Sequence, residues 1–484
     1  MTRRANLQAL ACAFLALSLS FKTAPLYAQT AALAEAPAPT RYAPAISFTR
    51  TLMRAIMAES GTPGMSVAVG IAGEIVWSEG FGYADVEHRI PVWEETKFRI
   101  GSVSKPVTAA ALGLLYEEGR LDLDTPVQQY VPSFPEKRWP ITTRQVAGHL
   151  AGIRHYDGDE FLSSKRYDTV LEGLEIFQDD TLLFEPGTRY SYSSYGWNLI
   201  SAVVEGASGE NFLIYMQEHV FEPLGLHHTV ADHTDSIIPQ RTRFYERAED
   251  GRVLNAPFVD NSYKWAGGGF LSTPEDLVRF GMAHLGEELL KRETIEMLWT
   301  SQQTREGRET YYGIGWSVNR DGGRVSMASH GGGSVGGTTF LLILPQENAV
   351  AAMVGNMTQA PTGYVPARMI LDAFLDPEAL TVEASGPDIS GVYECSFLSQ
   401  GEELVSAAFE IRGAPAEYWG RAVPSEGPWD RIIYSASRRE ATTLISVDPN
   451  GRLTQTRFTG VQPDRLEGDW MSGGRRGDVS CSRK

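Results

Sequence analysis

The sequence has few cysteines and no excess of basic residues. It contains 3 cysteines in 484 residues, and its 43 Lys and Arg are outnumbered by 60 Asp and Glu, giving a formal net charge of -17 at pH 7. A nucleic-acid partner requires a basic surface that neutralises phosphates, so this charge argues against nucleic-acid binding. The hydrophobic content of 42% is sufficient for a large core and for more than one domain.

The sequence also lacks an apolar run long enough for a comfortable membrane span, which needs about 20 residues. The N-terminal apolar run ends at Phe21, follows a pair of arginines and precedes small residues up to Ala28. This order predicts a cleaved signal peptide at residues 1–28, and therefore an exported protein, periplasmic or secreted. An uncleaved membrane anchor is the alternative. The Ala- and Pro-rich stretch that follows predicts a flexible leader at 29–40.

The small number of cysteines limits the disulfide pattern to one pair. Cys12 would leave with the signal peptide, so Cys395 and Cys481 would remain as an even pair in an oxidising compartment. We expect a disulfide bond between them.

Alternating apolar residues predict a hairpin near the start of the folded region. The stretch "GMSVAVGIAGEIVW" places Val67 and Val69 before Gly73 and places Ile75 and Trp77 after it. This pattern is typical of two strands joined by a tight turn.

Helical patterns come next, and strand patterns return after them. Helices are predicted after Lys105, up to Gly209 and from Thr273, where start or stop signals bound apolar runs. Strands are predicted in "YYGIGWSV", "GGTTFLLILP" and "AVAAMVGN", the last two joined as a hairpin by "QEN". Strands at both ends with helices between them predict one sheet built from both termini of a domain, an α+β fold over residues 41–380.

The C-terminal region has a different pattern. From about Gly386 the chain consists of short alternating strands separated by turn signals such as "DPNG". Residues 386–484 are therefore predicted to form a small all-β, barrel-like C-terminal domain. Whether it docks a partner or a substrate, or shapes substrate access, is left open.

The segment "RIGSVSK" places Ser102 three residues before Lys105. Residues at this spacing share one face of a helix, so the amine can reach the hydroxyl. Burial would lower the pKa of the lysine, which could then accept the serine proton as the oxygen attacks a carbonyl. The N–H groups of a helix N-terminus suit a developing oxyanion, and Pro106 fits a first helical turn. The alternative is that Ser102 or Ser104 only caps the helix.

Two further segments contain residues that suit such a site. Tyr192 precedes a helical run in "RYSYSSYGWNLISAVVEG", and "SHGGGSVGGTTF" is a glycine-rich entry into a strand that a substrate backbone could approach closely. A buried aromatic residue is the alternative for Tyr192. A surface side chain beside a flexible turn is the alternative for His330 and its glycines.

In chain order, these three segments resemble the motifs S-x-x-K, Y-x-N and K-T-G of the serine β-lactamase and penicillin-binding-protein superfamily, nearest to its class C branch. Supporting stretches spread over residues 45–375, and "HLAGIRHY" and "YKWAGGGFLST" resemble the mitochondrial serine β-lactamase-like proteins and their bacterial relatives. The resemblance implies an antiparallel sheet flanked by helices, a mostly helical insert and an active site in the groove between them. It also implies that His149 and His155 pack near the site.

The resemblance implies a role for each matched residue. Ser102 would be the acylated nucleophile, and Lys105 would accept its proton. Tyr192 would act as the base for proton transfer and would activate the deacylating water. The backbone N–H groups of Ser102 and Gly333 would form the oxyanion hole.

The positions predicted to bind substrate depart from the family motifs. Ser194 stands where the family has Asn, and His330, Gly331 and Gly332 stand in place of K-T-G. A single hydroxyl should hold an acylamino side chain less firmly than an amide does. The lysine of K-T-G supplies a fixed positive charge for a substrate carboxylate, whereas histidine is charged only near its own pKa of about 6.5. The activity is therefore expected to depend on pH around neutrality.

Two other patterns are set aside. The stretch "GGSVG" matches G-x-S-x-G with Ser334 as the nucleophile, but that motif must lead into a helix and here a strand pattern follows. The cluster of His227, His228 and His233 lacks a metal-ligand spacing, so we expect no metal.

The sequence therefore predicts an exported serine hydrolase that cleaves an amide or ester bond through an acyl-enzyme on Ser102, without a cofactor. Peptidase, esterase and β-lactamase-like activities remain open, with a small-molecule or peptide substrate. The alternative is a penicillin-binding or scaffold protein that keeps the fold but does not turn over. The oligomeric state is also left open.

Overall fold

The computed structural model of the chain describes residues 40–380, 387–399, 402–414, 418–424, 430–437, 441–448, 452–472 and 475–484. The predicted signal peptide, and the predicted leader except for Thr40, lie outside the described residues. In the part of the chain that is described, no helix combines the length and the apolar character needed to cross a membrane.

The helices all lie in the region 40–380, within the residues described. In chain order they are α1 (Ala43–Ser60), α2 (Ser104–Glu117), α3 (Thr143–Ala147), α4 (Val170–Leu174), α5 (Ser194–Ser208), α6 (Phe212–Met216), α7 (Trp265–Gly268), α8 (Pro274–Gly286), α9 (Arg292–Leu298) and α10 (Tyr364–Leu375).

Strands occur at both ends of this region and throughout the C-terminal one. In chain order they are β1 (Gly64–Ile71), β2 (Glu74–Asp85), β3 (Ile90–Pro91), β4 (Phe98–Arg99), β5 (Val230–Ala231), β6 (Tyr245–Arg247), β7 (Val253–Asn255), β8 (Phe270–Ser272), β9 (Ser317–Asp321), β10 (Arg324–Ser334), β11 (Gly337–Leu344), β12 (Ala349–Gly355), β13 (Gly391–Ser399), β14 (Glu402–Arg412), β15 (Trp419–Pro424), β16 (Asp430–Ser437), β17 (Thr442–Val447), β18 (Leu453–Gln462), β19 (Arg465–Ser472) and β20 (Arg475–Arg483).

The central sheet has seven strands in the order β3-β2-β1-β12-β11-β10-β9. Because β1 pairs antiparallel with both β2 and β12, strands from the two ends of the region meet at the centre of the sheet. Every residue of β12 is buried, since α8 packs on β12 and β1 while α10 packs on β12 and β11. The predicted α+β fold, an antiparallel sheet covered by helices, is confirmed.

The predicted hairpins are confirmed, but one predicted strand begins later than expected. β1 and β2 turn at Gly73, whose φ of +84° suits glycine, and β11 and β12 are joined around Asn348. The strand predicted in "YYGIGWSV" is β9, which starts only at Ser317. Gly315 before it has a φ of +80°, and a Cβ there would lie 3.1 Å from the backbone oxygen of Lys105. This close packing forces a turn where the alternating pattern indicated a strand.

The predicted helical insert is arranged around the buried helix α5. The start of α5 is capped by the Ser193 hydroxyl, which accepts a hydrogen bond from the Gly196 N–H, and its end is Gly209 with a φ of +73°. α5 packs on α2, α3, α4 and α7, and its Trp197 is fully buried. This packing fixes the residues just before α5 relative to the start of α2.

The C-terminal region forms a closed barrel of eight strands, β13 to β20, as predicted. β13 pairs with β20, and the structure joins Cys395 to Cys481 by a disulfide bond across this pair. The barrel contacts the first region through α1 and α10, with an ion pair between Arg431 and Glu59. The predicted boundaries of the two domains, at 380 and 386, stay a prediction.

Candidate active site

Ser102 lies in a tight turn between the short strand β4 and helix α2. The turn, Gly101–Val103, is 3-10 helical, and Gly101 has a φ of +49°. A Cβ on Gly101 would lie 2.5 Å from the carbonyl oxygen of Gly333, so glycine is required where the turn meets β10. The half-buried Ser102 is thereby held at the start of α2, beside the glycine-rich end of β10.

Lys105 lies one helical turn after Ser102 and is fully buried. Its Nζ lies 3.0 Å from Ser102 Oγ, 3.1 Å from Ser194 Oγ and 2.7 Å from the carbonyl oxygen of Gly267. Burial, with the nearby positive charge of Lys264, lowers the pKa of Lys105 well below its ordinary value. The amine is thus shifted toward its neutral, proton-accepting form.

Tyr192 covers this pair from the segment before α5. Its ring centroid is 4.9 Å from Lys105 Nζ and 4.3 Å from the ring centroid of His149. Burial raises the pKa of the Tyr192 hydroxyl, an effect opposed by its side-chain hydrogen bond with Ser102. The phenol therefore keeps its proton at neutral pH and can pass it along a hydrogen bond.

Two histidines hold the start of α5 in place. His149 Nδ1 accepts a hydrogen bond from the Ser193 N–H, and His155 Nδ1 accepts one from the Ser194 N–H, each at 3.1 Å. Both rings also contact the ring of Tyr192. The expectation that these histidines pack near the site is met.

The free edge of β10 forms the opposite wall. β10 pairs with β9 only up to Ser329, so from His330 to Ser334 it pairs, among the strands that the structure describes, with β11 alone. Gly331 and Gly333 are exposed, whereas His330 and Gly332 are buried, as the alternation of a strand requires. Gly333, whose N–H the resemblance assigns to the oxyanion hole, is therefore exposed next to the turn that carries Ser102.

His330 does not line the cleft and does not carry the charge expected of it. Its Nε2 lies 2.9 Å from the Tyr312 hydroxyl, and its Nδ1 lies 2.6 Å from the carbonyl oxygen of Gly331. Because that carbonyl can only accept, Nδ1 carries the proton and Nε2 accepts from Tyr312. Burial, with the charge of Lys105, lowers the pKa of His330 to about 3. Burial therefore argues against the expected titration of His330 near neutrality, which assumed a solvated ring.

The residues surround an open cleft of ≈ 550 Å³. Of the predicted site residues, Ser102, Tyr192, Ser194, Gly331, Gly332 and Gly333 line it. His155, which was expected to pack near the site, also lines the cleft, as do Tyr156, Phe161 and Lys264, which the sequence did not single out. Lys264 lies in "YKWAGGGFLST", one of the segments on which the resemblance rests. No motif or residue spacing marked Lys264 itself as a site residue.

The two patterns that were set aside do not enter this site as nucleophile or metal ligands. Ser334 ends β10 and leads through a tight hairpin into β11, not into a helix, so the G-x-S-x-G match is not a nucleophile elbow. Among the described residues, His227, His228 and His233 belong to no cluster with metal-ligand geometry.

A serine and a buried lysine lie one helical turn apart and face the open edge of an antiparallel sheet. This arrangement is that of the active-site serine hydrolases. Comparison with known proteins agrees, since the beta-lactamase family model matches residues 49–373. This chain belongs to the beta-lactamase family.

Two relatives and one solved structure show the range of this similarity. The mitochondrial serine beta-lactamase-like protein LACTB of Bos taurus is 36% identical over 430 aligned residues, covering 68% of this chain and 77% of the bovine protein. The D-aminopeptidase of Gluconobacter oxydans is 26% identical over 404 residues, covering 79% of this chain and 71% of that enzyme. The octameric penicillin-binding protein homologue from Pyrococcus abyssi has the same fold, with a TM-score of 0.58 and 23% sequence identity. The match covers 90% of this chain and 99% of the chain of that homologue.

Proposed function

We propose that the protein is a hydrolase that cleaves an amide or ester bond through an acyl-enzyme on Ser102. The observation that carries this proposal is the 3.0 Å separation of Lys105 Nζ from Ser102 Oγ, with the amine fully buried. A helix cap would not require a lysine beside it, and burying an amine without function is costly.

The three neighbours of Lys105 Nζ suit a neutral amine. Such an amine has two N–H groups and one lone pair. The carbonyl oxygen of Gly267 can only accept a hydrogen bond, so it takes one N–H, and Ser194 Oγ takes the other. The lone pair is left for the Ser102 hydroxyl, which donates to it. Ser194 thus orients the base, in addition to lining the cleft.

Acylation follows from this arrangement. Lys105 accepts the proton of Ser102 as its oxygen attacks the carbonyl carbon of the substrate. The carbonyl oxygen becomes negative and accepts hydrogen bonds from the N–H groups of Ser102 and Gly333. When the bond to the leaving amine or alcohol breaks, that group receives the proton from Lys105 through the Tyr192 hydroxyl.

Deacylation uses the same residues in reverse. Water attacks the acyl-enzyme ester and gives a proton through Tyr192 to Lys105, and Ser102 takes the proton back as the acid leaves. Since the pKa of Tyr192 is raised by burial, Tyr192 relays the proton while Lys105 holds it. This assignment differs from the base role that the resemblance implies for Tyr192.

For the substrate we propose a chemical class, and for the cellular location we propose export. The names of the relatives, a D-aminopeptidase and a beta-lactamase-like protein, support an amide or a cyclic amide as readily as an ester. Export through a signal peptide at residues 1–28 is proposed from the sequence, although the bovine relative is mitochondrial by name. A docking role of the barrel is likewise a proposal, and no described barrel residue lines the cleft.

Turnover tests the proposal against the scaffold alternative. Purified protein and a Ser102→Ala variant would be given para-nitrophenyl acetate in excess, and released nitrophenol would be followed over time. Steady release that depends on Ser102 supports the hydrolase. A release of one equivalent that then stops identifies a protein that is acylated but does not turn over.

A further inference from the structure

A second buried lysine faces the cleft, and its amine has no polar partner in the described part of the chain. Lys264 is 2% exposed and lines the same cleft as Ser102. No hydrogen bond or ion pair joins its amine to any of the residues that the structure describes. Lys105, by contrast, has three polar neighbours.

Aromatic rings surround the amine of Lys264. Its Nζ lies 4.4 Å from the ring centroid of Phe161, 5.1 Å from that of Tyr263 and 5.7 Å from that of Tyr156. Ring faces attract a cation but neither accept a strong hydrogen bond nor neutralise its charge. Phe161 and Tyr156 also line the cleft, so this aromatic surface opens toward the substrate.

Asp232, the acidic residue whose charge acts on Lys264, forms no ion pair with it. Asp232 binds Arg99 at 2.7 Å, Asn261 at 2.9 Å and Arg241 at 3.3 Å, so both of its carboxylate oxygens are occupied. Burial, and the positive charge of Arg99, lower the pKa of Lys264 to about 7, an effect that Asp232 opposes only in part. An anion entering the cleft would meet an amine that forms no ion pair with any residue that the structure describes.

We propose that Lys264 binds a carboxylate group of the substrate, supplying the positive charge that is absent at the position of His330. This inference rests on the proposed function, and it makes Lys264 a specificity-determining residue rather than a proton carrier. A desolvated ammonium–carboxylate pair is charge-assisted and strong, and the aromatic walls exclude competing water. The substrate class is therefore an amide or ester that carries a free carboxylate away from the bond to be cleaved.

Matched pairs of esters test this selectivity. The first pair is the para-nitrophenyl monoester of adipic acid and its monoamide twin, which place a carboxylate or a carboxamide on the acyl side. The second pair, meta-carboxyphenyl acetate and meta-carbamoylphenyl acetate, places the same groups on the leaving side. The ratio of kcat/KM within each pair would be compared between wild type and variants, because intrinsic reactivity cancels in that comparison.

Three variants separate charge from stability. Lys264→Met removes the charge and keeps the length, and Lys264→Arg restores a charge. Lys97→Met is the matched control, because Lys97 is also buried, at 6% exposed, but its amine donates to the carbonyl oxygen of Pro239 and does not line the cleft. We expect Lys264→Met to lower the carboxylate-to-carboxamide ratio about tenfold or more in one pair. Lys264→Arg should recover part of this ratio, and Lys97→Met should leave it unchanged.

A binding measurement keeps the inference testable without catalysis. In a Ser102→Ala background, calorimetry would give the Kd of the adipic monoester and of its monoamide twin, with and without Lys264→Met. If the carboxylate ligand binds more tightly than its carboxamide twin, and Lys264→Met abolishes this preference, the inference is supported. This holds even if wild type shows no turnover, and in that case only the proposed function fails. The inference is overturned if two quantities are the same with Lys264 and in Lys264→Met. They are the carboxylate-to-carboxamide ratio of kcat/KM and the difference in Kd between the two adipic ligands.

Discussion

Lys105 Nζ lies 3.0 Å from Ser102 Oγ, on the first turn of a helix that buries the amine completely. The pair is held from both sides, by Ser194 and Gly267 around the amine and by the close contact of Gly101 with Gly333 beneath the serine. A serine that only caps a helix needs none of these contacts. We therefore expect Ser102 to act as the nucleophile and Lys105 as its base.

Lys105→Met should remove the base and keep the fold. We expect kcat/KM for an activated ester to fall by about 10²–10⁴, the usual contribution of a positioned proton acceptor. The melting temperature should change little, because the loss of a buried amine offsets the loss of its hydrogen bonds. Thermal unfolding and ester turnover, measured beside Lys97→Met, check both statements. A Lys105→Met protein with near wild-type turnover would exclude Lys105 as the base.

His330 should not contribute a titration near neutrality to the activity. Because burial, with the charge of Lys105, lowers the pKa of His330 to about 3, the ring is already neutral at pH 6. In the pH profile of kcat/KM, the pH at which activity falls to half on the acidic side should be the same in His330→Gln as in wild type. This expectation holds even if the substitution changes the maximal kcat/KM. Disappearance of a limb near pH 6.5 in this variant would show that His330 is charged in the native protein.

The same histidine should make the fold less stable in acid. The folded-state pKa of about 3 lies below the unfolded value of 6.5, so between these values the unfolded chain binds more protons. The free energy of unfolding should therefore fall as pH drops from about 6.5, by up to about 1.4 kcal/mol per pH unit for this one group. Urea unfolding at pH 7 and pH 5 should show a smaller pH effect in His330→Gln. An unchanged difference between the two pH values would contradict the assignment.

Two neighbouring glycines of β10 should respond differently to one added methyl group. A Cβ on Gly332 would lie 2.0 Å from the carbonyl oxygen of Ile100 and 3.2 Å from the Ser102 nitrogen, so Gly332→Ala must push β10 away from the nucleophile. A Cβ on Gly333 meets nothing within 4 Å. We expect Gly332→Ala to lose turnover and to melt at lower temperature, while Gly333→Ala melts like wild type. Equal melting temperatures for the two variants would refute the close approach.

The disulfide bond should stabilise the barrel without affecting the reaction. Cys395 and Cys481 are separated by 86 residues, and a cross-link over a long loop restricts the unfolded chain by typically about 2–4 kcal/mol. The double variant with Cys395→Ala and Cys481→Ala should unfold its barrel at lower denaturant concentration and keep ester turnover, since no described barrel residue lines the cleft. A loss of turnover in a folded double variant would connect the barrel to the site.

Local signals explain how much of the fold could be predicted. The hairpin at Gly73, the cap of α8 at Thr273 and the end of α5 at Gly209 each depend on a few adjacent residues, and all three are observed. Ser102 and Lys105 are three residues apart, so their proximity follows from helix geometry alone. The predicted strand before Ser317 was wrong because Gly315 turns to pack against α2, a contact between segments far apart in sequence.

The electrostatics of the site could not be predicted in this way. Whether His330 is charged depends on its burial beside Tyr312, which the glycine-rich pattern around it does not reveal. Whether Lys264 has a counter-ion depends on the binding of Asp232 to Arg99, which is 133 residues earlier in the chain. Both features arise from packing between distant segments, and both change what the cleft can bind.

The most direct test is the intact mass of the protein after exposure to a fluorophosphonate probe and, separately, to a penicillin, followed by peptide mapping. Wild type should gain one fluorophosphonate adduct on the peptide that contains Ser102, and a folded Ser102→Ala variant should gain none. A folded wild-type protein that neither reagent labels at Ser102 would contradict this expectation and would favour a protein that keeps the fold without turnover.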